Sequence, residues 1–301
     1  MNIKEICEGI KNRSPRAIAK AISLVENGDV YVNELLGGLD LGAIDNVMIF
    51  GITGPPGAGK STLTGKLIGY CRSLGKRVGV IAVDPSSPIS GGAIHGDRIR
   101  MMEHGVDPDV VIRSMATRGK LGGLCIAAGA ACRIMACAGC NPIIIETVGV
   151  GQSEIDIIKI ADVTALVFAP GLGDDIQAIK AGLMEVADVM VVNKADRPEA
   201  QMLAMELKEV AKEKGTEVIL TVATKGEGID KLYEAMVRVY KKMDESNEKE
   251  KKRIEFRKKE VIDWVMEMVR QDIDEIINKQ QIDLNVDPRL LATEILKDYK
   301  K

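Results

Sequence analysis

The 301-residue sequence is poor in aromatic side chains and in histidine, and it carries no excess of positive charge. With only three Phe, five Tyr and one Trp, it offers few stacking platforms for single-stranded nucleic acid. A formal net charge of −3 and a pI of about 5.7 argue against broad nucleic-acid binding, which normally requires a basic face. We therefore expect no nucleic-acid partner.

Long hydrophobic runs are also missing. No stretch approaches the roughly 18–20 apolar residues of a membrane span, and residues 1–9 carry charges where a signal peptide would be apolar. A hydrophobic content of 46% and a charged content of 28% are typical of a soluble globular protein. We expect a cytoplasmic protein with no membrane partner, whose six cysteines are thiols.

Three regions follow one another along the chain. Residues 1–44 have helical patterning, with Ser14 as a cap and Pro15 at the first helical position. Residues 45–242 alternate short apolar runs with helical segments, which predicts an α/β fold whose mostly parallel sheet is flanked by helices. Residues 243–301 are rich in charge and predict a helical arm. This arm either packs as a solvated helix on its own sheet or serves dimerisation or partner docking.

The predicted strands and helices of the central region follow from its apolar patterning. Strands are predicted at 47–53, 77–83, 110–113, 142–145, 162–168, 188–192 and 217–221, and helices at 60–74, 121–138, 154–160, 175–186, 199–214 and 228–242.

A phosphate-binding loop is predicted between the first strand and the first helix of this region. Residues 54–61 match the pattern G-x-x-x-x-G-K-[ST] of a P-loop NTPase in its required context. The glycines let backbone N–H groups face a β-phosphate at a helix N-terminus. Lys60 is expected to bridge the β- and γ-phosphates, and the Ser61 hydroxyl to bind Mg²⁺. The predicted nucleotide-binding residues of this loop are Gly54, Gly57, Ala58, Gly59, Lys60, Ser61 and Thr62.

A base-reading loop is predicted at Asn193-Lys194-Ala195-Asp196, directly after an apolar strand. A carboxylate at Asp196 can accept hydrogen bonds from guanine N1–H and the 2-amino group, which adenine does not present as a pair. The loop therefore predicts binding of GTP and GDP rather than ATP. The backbone near Ala223, at the end of the next strand, is a further candidate contact for guanine O6.

Several acidic residues are candidates for a metal site. Glu146 ends a predicted strand where most P-loop GTPases carry Asp, and Gly149 could then sense the γ-phosphate through its N–H. Asp84 also ends a strand, where ligands bind in open α/β sheets, although a purely structural role is an alternative. Asp97 is either a metal ligand or a helix cap, and Gln152 either orients water or is an ordinary loop residue. The candidate metal ligands are thus Ser61, Asp84, Asp97 and Glu146, and the candidate catalytic residues are Lys60, Asp97, Glu146 and Gln152.

Four cysteines lie close together in the sequence. Cys137-x-x-Cys140 follows a segment that carries Cys125 and Cys132. The pair could bind a soft metal or form a redox couple. We favour the alternative that all four are small buried side chains, because the chain has only two histidines to complete a zinc site.

The combination of motifs resembles the MeaB/ArgK family, G-proteins that chaperone adenosylcobalamin-dependent acyl-CoA mutases, chiefly methylmalonyl-CoA mutase. The resemblance extends from about residue 16 to residue 240. The motifs that carry it are GPPGAGKS at 54–61, VDPSSP at 83–88, GDRIRM at 96–101, Arg118-Gly, ETVGVGQSE at 146–154 and PGLGDDIQ at 170–177.

The resemblance implies a SIMIBI-type P-loop GTPase. Asp84, Asp97 and Glu146 match the family's metal-site and switch carboxylates. Residues 171–180 resemble its third switch, in which Asp174, Gln177 and Lys180 match residues that couple the mutase to GTP hydrolysis. The family also implies a homodimer with C-terminal helices in the interface, and GTP hydrolysis that gates cofactor loading and protects the mutase.

Three functions follow as hypotheses. The first is a GTPase chaperone of an acyl-CoA mutase, of methylmalonyl-, isobutyryl- or ethylmalonyl-type. The second is a GTP-dependent metallochaperone that uses Cys137 and Cys140. The third is a kinase, as an older family name for a transport-system kinase suggests, and it ranks last because no H-R-D catalytic loop is present. The chain lacks a cobalamin-binding D-x-H-x-x-G pattern, so we expect the cofactor to belong to the partner.

Overall fold

The computed structural model describes residues 2–84, 104–116, 123–147, 159–171, 184, 187–212, 214–279 and 286–299. Within those ranges, the side chains of residues 84, 116, 123–126, 297 and 298 are not described. The chain divides into two compact units, Met1–Phe256 and Arg257–Lys301. No helix in the described ranges has the length and apolarity that crossing a bilayer requires.

Three helices open the first unit: α1 (Ile3–Lys11), α2 (Pro15–Asn27) and α3 (Val32–Gly37). The predicted cap of α2 is confirmed, because the Ser14 hydroxyl accepts a hydrogen bond from the N–H of Ala17 and proline occupies the first turn. One face of these helices is apolar and buried. Its largest fully buried side chains are Ile6, Ile10, Ile18, Ile22 and Leu35.

The central element is a seven-stranded sheet in the order β3-β2-β4-β1-β5-β6-β7. All six pairings between neighbours are parallel, so the predicted parallel α/β sheet is confirmed. The strands are β1 (Ile49–Thr53), β2 (Val78–Asp84), β3 (Val110–Ala116), β4 (Ile143–Thr147), β5 (Val163–Phe168), β6 (Val189–Val192) and β7 (Glu217–Leu220).

Helices cover both faces of this sheet. On one face, Leu63 and Leu67 of α4 (Lys60–Ser73) and Tyr233 of α7 (Ile229–Glu245) pack with Phe50 and Ile52 of β1 in one apolar cluster. Burial of each large apolar side chain contributes about 1.5–3 kcal/mol, so these contacts fix the N-terminus of α4 relative to β1. The helices are α4 (Lys60–Ser73), α5 (Gly123–Cys137), α6 (Ala200–Lys212) and α7 (Ile229–Glu245). The predicted helices at 154–160 and 175–186 lie mostly outside the described residues.

Two strands, β5 and β6, begin one residue later than predicted, where an aspartate precedes each of them. These aspartates, Asp162 and Asp188, were predicted to belong to the strands. The Asp162 carboxylate accepts the N–H of Ile49, and the Asp188 carboxylate accepts the N–H of Thr164. Each side chain thus satisfies a backbone donor of the neighbouring strand at the amino end of the sheet.

The C-terminal region is helical, as predicted, with α8 (Glu248–Lys279) and α9 (Pro288–Tyr299). Several apolar side chains of α8 are more than half exposed, among them Val261, Ile262 and Val265. The first turns of α8 belong to the first unit, where Arg253 binds the amino end of β5. The boundaries of the three regions, at 44–45 and 242–243, stay predictions.

Candidate active site

The P-loop connects β1 to α4 at the carboxyl edge of the sheet and requires glycine at its two ends. Gly54 has φ of +142°, and a Cβ there would lie 2.2 Å from the carbonyl oxygen of Val167. Gly59 has φ of +90°, and a Cβ there would lie 2.4 Å from Nδ2 of Asn193. The backbone therefore packs directly against β5 and the loop after β6, at separations that no other residue type permits.

A helix N-terminus and a lysine face the space enclosed by this loop. Lys60 is the first residue of α4, and its ammonium donates to the carbonyls of Gly54 (2.6 Å) and Pro55 (3.1 Å). The Lys60 side chain is 7% exposed. The N–H groups and partial positive charge of the first helical turn favour an anion here, and the buried ammonium adds a full charge.

Next to this turn, a hydroxyl and a carboxylate meet below the loop. The Ser61 hydroxyl of α4 donates to Oε1 of Glu146 at 2.7 Å, and both residues are buried. Glu146 is the fourth residue of β4, and its register partner on β1 is Ile52. Carboxylate and hydroxyl oxygens are hard donors of the type that Mg²⁺ prefers. Ser61 and Glu146 therefore fit the predicted metal.

A second polar pair joins the ends of the same two strands. The Thr147 hydroxyl donates to the Thr53 hydroxyl at 3.1 Å, and both side chains are buried. This bond fixes the end of β4, from which Glu146 projects, to the end of β1, where the P-loop starts. Neither threonine was predicted from the sequence, since a strand-end hydroxyl carries no motif.

Asn193 connects three loops at the same edge. Its Nδ2 donates to the carbonyl of Ala58 at 2.9 Å, and its Oδ1 accepts from the Thr221 hydroxyl and from the N–H of Ala223, both at 3.1 Å. Asn193 is 3% exposed. Its amide thus holds the P-loop against the loop that follows β7. The backbone near Ala223 is the predicted contact for guanine O6. The N–H of Ala223 itself is bonded to Asn193, so a contact to O6 would come from the neighbouring backbone.

Lys194 and Asp196 face an adjacent cavity of about 240 Å³. Lys194 adopts φ of +56°, and its ammonium donates to the carbonyl of Gly57 at 2.7 Å, so its side chain crosses towards the P-loop. Asp196 also lines the cavity and is exposed. The residues that line the cavity are Gly59, Thr62, Asn193, Lys194, Asp196, Arg197, Val222, Ala223 and Thr224. Arg197, Val222 and Thr224 were not predicted. Arg197 directly follows the base-reading motif, and this position was its only signal in the sequence.

The structure therefore brings together the predicted P-loop, Ser61, Glu146 and the base-reading loop at one edge of the sheet. Asp84 ends β2, as predicted, and nothing is described of its side chain. Other predicted residues lie outside the described ranges, and their roles stay predictions: Asp97, Gly149, Gln152, Asp174, Gln177 and Lys180.

Cys137 and Cys140 lie just before the start of β4, at the opposite edge of the sheet. Cys132 and Cys140 are fully buried, and the Cys137 thiol is partly exposed and donates to the carbonyl of Asp40. Burial raises the pKa of Cys137, and it raises the pKa of Cys140 to about 11. Burial therefore opposes formation of the thiolates that a metal would bind. Among the described residues, no three His, Cys, Asp or Glu side chains are grouped to hold a metal ion. The Cys125 side chain is outside the description.

Comparison with known proteins agrees with this geometry. The family model described as methylmalonyl Co-A mutase-associated GTPase MeaB matches residues 18–281. A putative GTPase of Pyrococcus horikoshii is 46% identical over an alignment of 310 positions, which covers 98% of this chain and 97% of that protein. The mitochondrial methylmalonic aciduria type A homolog of Caenorhabditis elegans is 34% identical over 209 residues, 65% of this chain and 52% of that protein.

One solved structure shares the fold over the whole chain. The crystal structure of an LAO/AO transport system kinase aligns with a TM-score of 0.66 at 23% identity, and the alignment covers 100% of this chain and 99% of that one. This likeness, together with the loop geometry above, shows a P-loop NTPase fold.

Proposed function

Because the chain belongs to the MeaB family of mutase-associated GTPases, we propose that it binds and hydrolyses GTP as the chaperone of an adenosylcobalamin-dependent acyl-CoA mutase. One observation carries the enzymatic part of this proposal. The P-loop, the Ser61–Glu146 pair and the base-reading loop meet at a single edge of the sheet, connected through Asn193.

The phosphates bind at the N-terminus of α4. Backbone N–H groups from Gly57 to Thr62 surround them, and Lys60 lies across the same loop. When phosphate enters, the Lys60 ammonium exchanges its carbonyl partners for β- and γ-phosphate oxygens. Phosphoryl transfer requires little covalent chemistry from the protein, so charge neutralisation and positioning supply most of the rate.

Mg²⁺ would be held by Ser61 and Glu146, with Asp84 and Asp97 as further ligands or ligands through water. When bound, the ion neutralises charge on the β- and γ-phosphates. Glu146 and Ser61 already contact each other at 2.7 Å, so the protein supplies this pair in a fixed position. Such preorganisation lowers the reorganisation required during the reaction.

Guanine is selected in the cavity beyond Asn193. The Asp196 carboxylate accepts hydrogen bonds from guanine N1–H and from the 2-amino group. Adenine does not present this pair of donors, so it cannot make the two bonds. Asn193 lines this cavity, and its amide also bonds the P-loop and the N–H of Ala223. Its contribution to GTP binding is to hold the phosphate and base sites at a fixed separation.

Hydrolysis proceeds by in-line attack of water on the γ-phosphate. Gly149 senses that phosphate, and Gln152 is a candidate to orient the water. The partner completes the site through the third switch, with Asp174, Gln177 and Lys180 as the coupling residues. The client is an acyl-CoA mutase, most simply methylmalonyl-CoA mutase, which the family description names. Hydrolysis gates the loading of the mutase cofactor, and this chain binds no cobalamin itself.

The protein would act in the cytoplasm as a homodimer. The exposed apolar side chains of α8 support a dimer interface on the C-terminal arm, because contiguous exposed apolar surface marks contact sites.

GTP hydrolysis by the purified chain, alone and with an acyl-CoA mutase from the same source, tests the proposal. We expect Mg²⁺-dependent phosphate release that Lys60→Ala abolishes and that the mutase stimulates, with the stimulation lost in Asp174→Ala or Lys180→Ala. Absence of hydrolysis would refute the GTPase assignment. Hydrolysis that depends on Lys60 but does not respond to the mutase would refute the chaperone role.

A further inference from the structure

Among the described residues, the cavity that would receive the guanine base has no aromatic side chain in its lining. Phe50 and Phe168 are fully buried in the two core clusters and cannot reach a ligand. A purine has two flat faces, and binding sites normally place a planar group or an apolar surface against them.

Arg197 also lines this cavity, and its side chain ends in a planar guanidinium. Its backbone is fixed by a tight turn, because its N–H donates to the carbonyl of Lys194 at 3.0 Å and its carbonyl accepts the N–H of Ala200 at 3.1 Å. Ala200 is the first residue of α6. The turn places the side chains of Lys194 and Arg197 on the same cavity, three residues apart.

The guanidinium of Arg197 is available for a ligand. A Cβ added to Gly171, just after β5, would lie 4.0 Å from its Nη1, so the guanidinium lies between the base-reading loop and the end of β5. The residue is exposed, and within the described ranges its side chain makes no ion pair or hydrogen bond. Arginine is planar and weakly hydrated, and it stacks readily on aromatic faces.

We propose that the guanidinium of Arg197 stacks on one face of the guanine base, making Arg197 a nucleotide-binding residue. Lys194 also lines this cavity, and the bond between its ammonium and the carbonyl of Gly57 holds its side chain in place. The inference rests on the proposed GTP binding and extends it to a residue outside the base-reading motif.

The position of Arg197 assigns it to the base and not to the γ-phosphate. The phosphate end of the site is defined by Lys60 and the Ser61–Glu146 pair, whereas Arg197 shares its cavity with Asp196 and Thr224. Stacking on the base is the same for a diphosphate and a triphosphate. The proposal therefore requires equal losses of affinity for GDP and GTP, while a contact to the γ-phosphate would affect GTP alone.

Titration calorimetry of the full chain with GDP and with GTP in the presence of Mg²⁺ tests this. A stack on a base contributes about 1–3 kcal/mol, so Arg197→Ala is expected to raise both Kd values by at least about fivefold. Arg197→Phe keeps a flat surface and is expected to retain Kd values within about threefold of the wild type. Arg197→Lys keeps the charge but not the plane, and it should resemble Arg197→Ala.

Arg238→Ala is the matched control, since it removes the same charge from an exposed arginine that pairs with Glu217 and does not line the cavity. Unchanged Kd values in Arg197→Ala, a loss for GTP only, or full rescue by Lys but not by Phe would each overturn the stacking. If Lys60→Ala weakens binding while Arg197→Ala does not, GTP binding stands and this inference fails. A wild-type chain that binds no guanine nucleotide would refute both.

Discussion

An ion pair holds the start of α8 to the amino end of β5, and its removal should be costly. Arg253 donates from Nε and Nη2 to the two carboxylate oxygens of Asp162 at 2.8 and 2.7 Å. The same guanidinium donates to the carbonyls of Ile44 (3.0 Å), Asp45 (3.2 Å) and Val47 (2.7 Å). One side chain therefore joins α8 to the segment before β1 and to the strand beside it.

We consider the substitution Arg253→Met, which keeps the aliphatic part of the side chain and removes the guanidinium. The Asp162 side chain is 2% exposed and that of Arg253 is 21% exposed, so this is a buried pair and solvent does not screen it strongly. Loss of one partner from a buried pair costs about 3–5 kcal/mol, because the other charge stays buried. In the variant, the Asp162 carboxylate retains the N–H of Ile49 as its described donor.

Urea unfolding monitored by circular dichroism measures the change in the free energy of unfolding. We expect a loss of about 3–5 kcal/mol in Arg253→Met and a partial recovery in the double variant with Asp162→Asn, which removes the unpaired charge. Arg238→Ala, at an exposed pair with Glu217, should cost less than about 1 kcal/mol. A loss below about 1 kcal/mol in Arg253→Met, or no recovery in the double variant, would refute the reasoning.

Three further predictions concern the nucleotide site and the core. Asp196→Asn should raise the Kd for GDP by about two orders of magnitude, since two charge-assisted hydrogen bonds are lost. The variant should favour xanthosine diphosphate, because its 2-oxo group accepts a hydrogen bond from the new amide. Competition binding measures both effects. Asn193→Ala should weaken GDP and GTP binding equally, by roughly tenfold or more, because the buried N–H of Ala223 loses its acceptor; a normal Kd would contradict this. Burial raises the pKa of Cys71 to about 12 and that of Cys140 to about 11, from 9.0. Their stabilising contribution is complete below pH 9 and is lost as the pH rises through 11–12, by up to about 1.4 kcal/mol per pH unit and thiol. Urea unfolding at pH 8 and pH 10.5 should show a smaller loss in Cys140→Ala than in the wild type.

The P-loop was predictable because its chemistry dictates its residues. Only glycine adopts the positive φ of Gly54 and Gly59 this close to a neighbouring backbone or amide. The P-loop is therefore recognisable in the sequence by glycines at a fixed spacing. The strands were predictable for a similar reason. A parallel sheet buried on both faces requires continuous apolar runs, and the run at β6 leads directly into Asn193.

The hydrogen bonds that connect different loops were not predictable in this way. Asn193 bonds Ala58, which is 135 positions away, and no local pattern encodes a contact over that separation. Arg197 was not predicted as a cavity residue, because a single arginine after the base-reading motif carries no pattern of its own. Asp162 was placed inside a strand because it directly precedes the apolar run of β5, whereas its carboxylate accepts the N–H of Ile49 on β1 and pairs with Arg253.

The residues that stabilise the fold and the residues proposed to bind the nucleotide lie at opposite ends of β5. Asp162 and Arg253 lie at its amino end, and Gly171, beside Arg197, follows its carboxyl end. A strand of six residues spans about 20 Å at roughly 3.3 Å per residue, which exceeds the Debye length of about 8 Å at physiological ionic strength. The charge of Arg253 therefore acts on the fold and not directly on the bound phosphates. Arg253→Met should lower the free energy of unfolding while the Kd for GDP, measured below the unfolding transition, stays within about twofold of the wild type. A parallel loss of affinity would mean that β5 transmits the state of α8 to the nucleotide site.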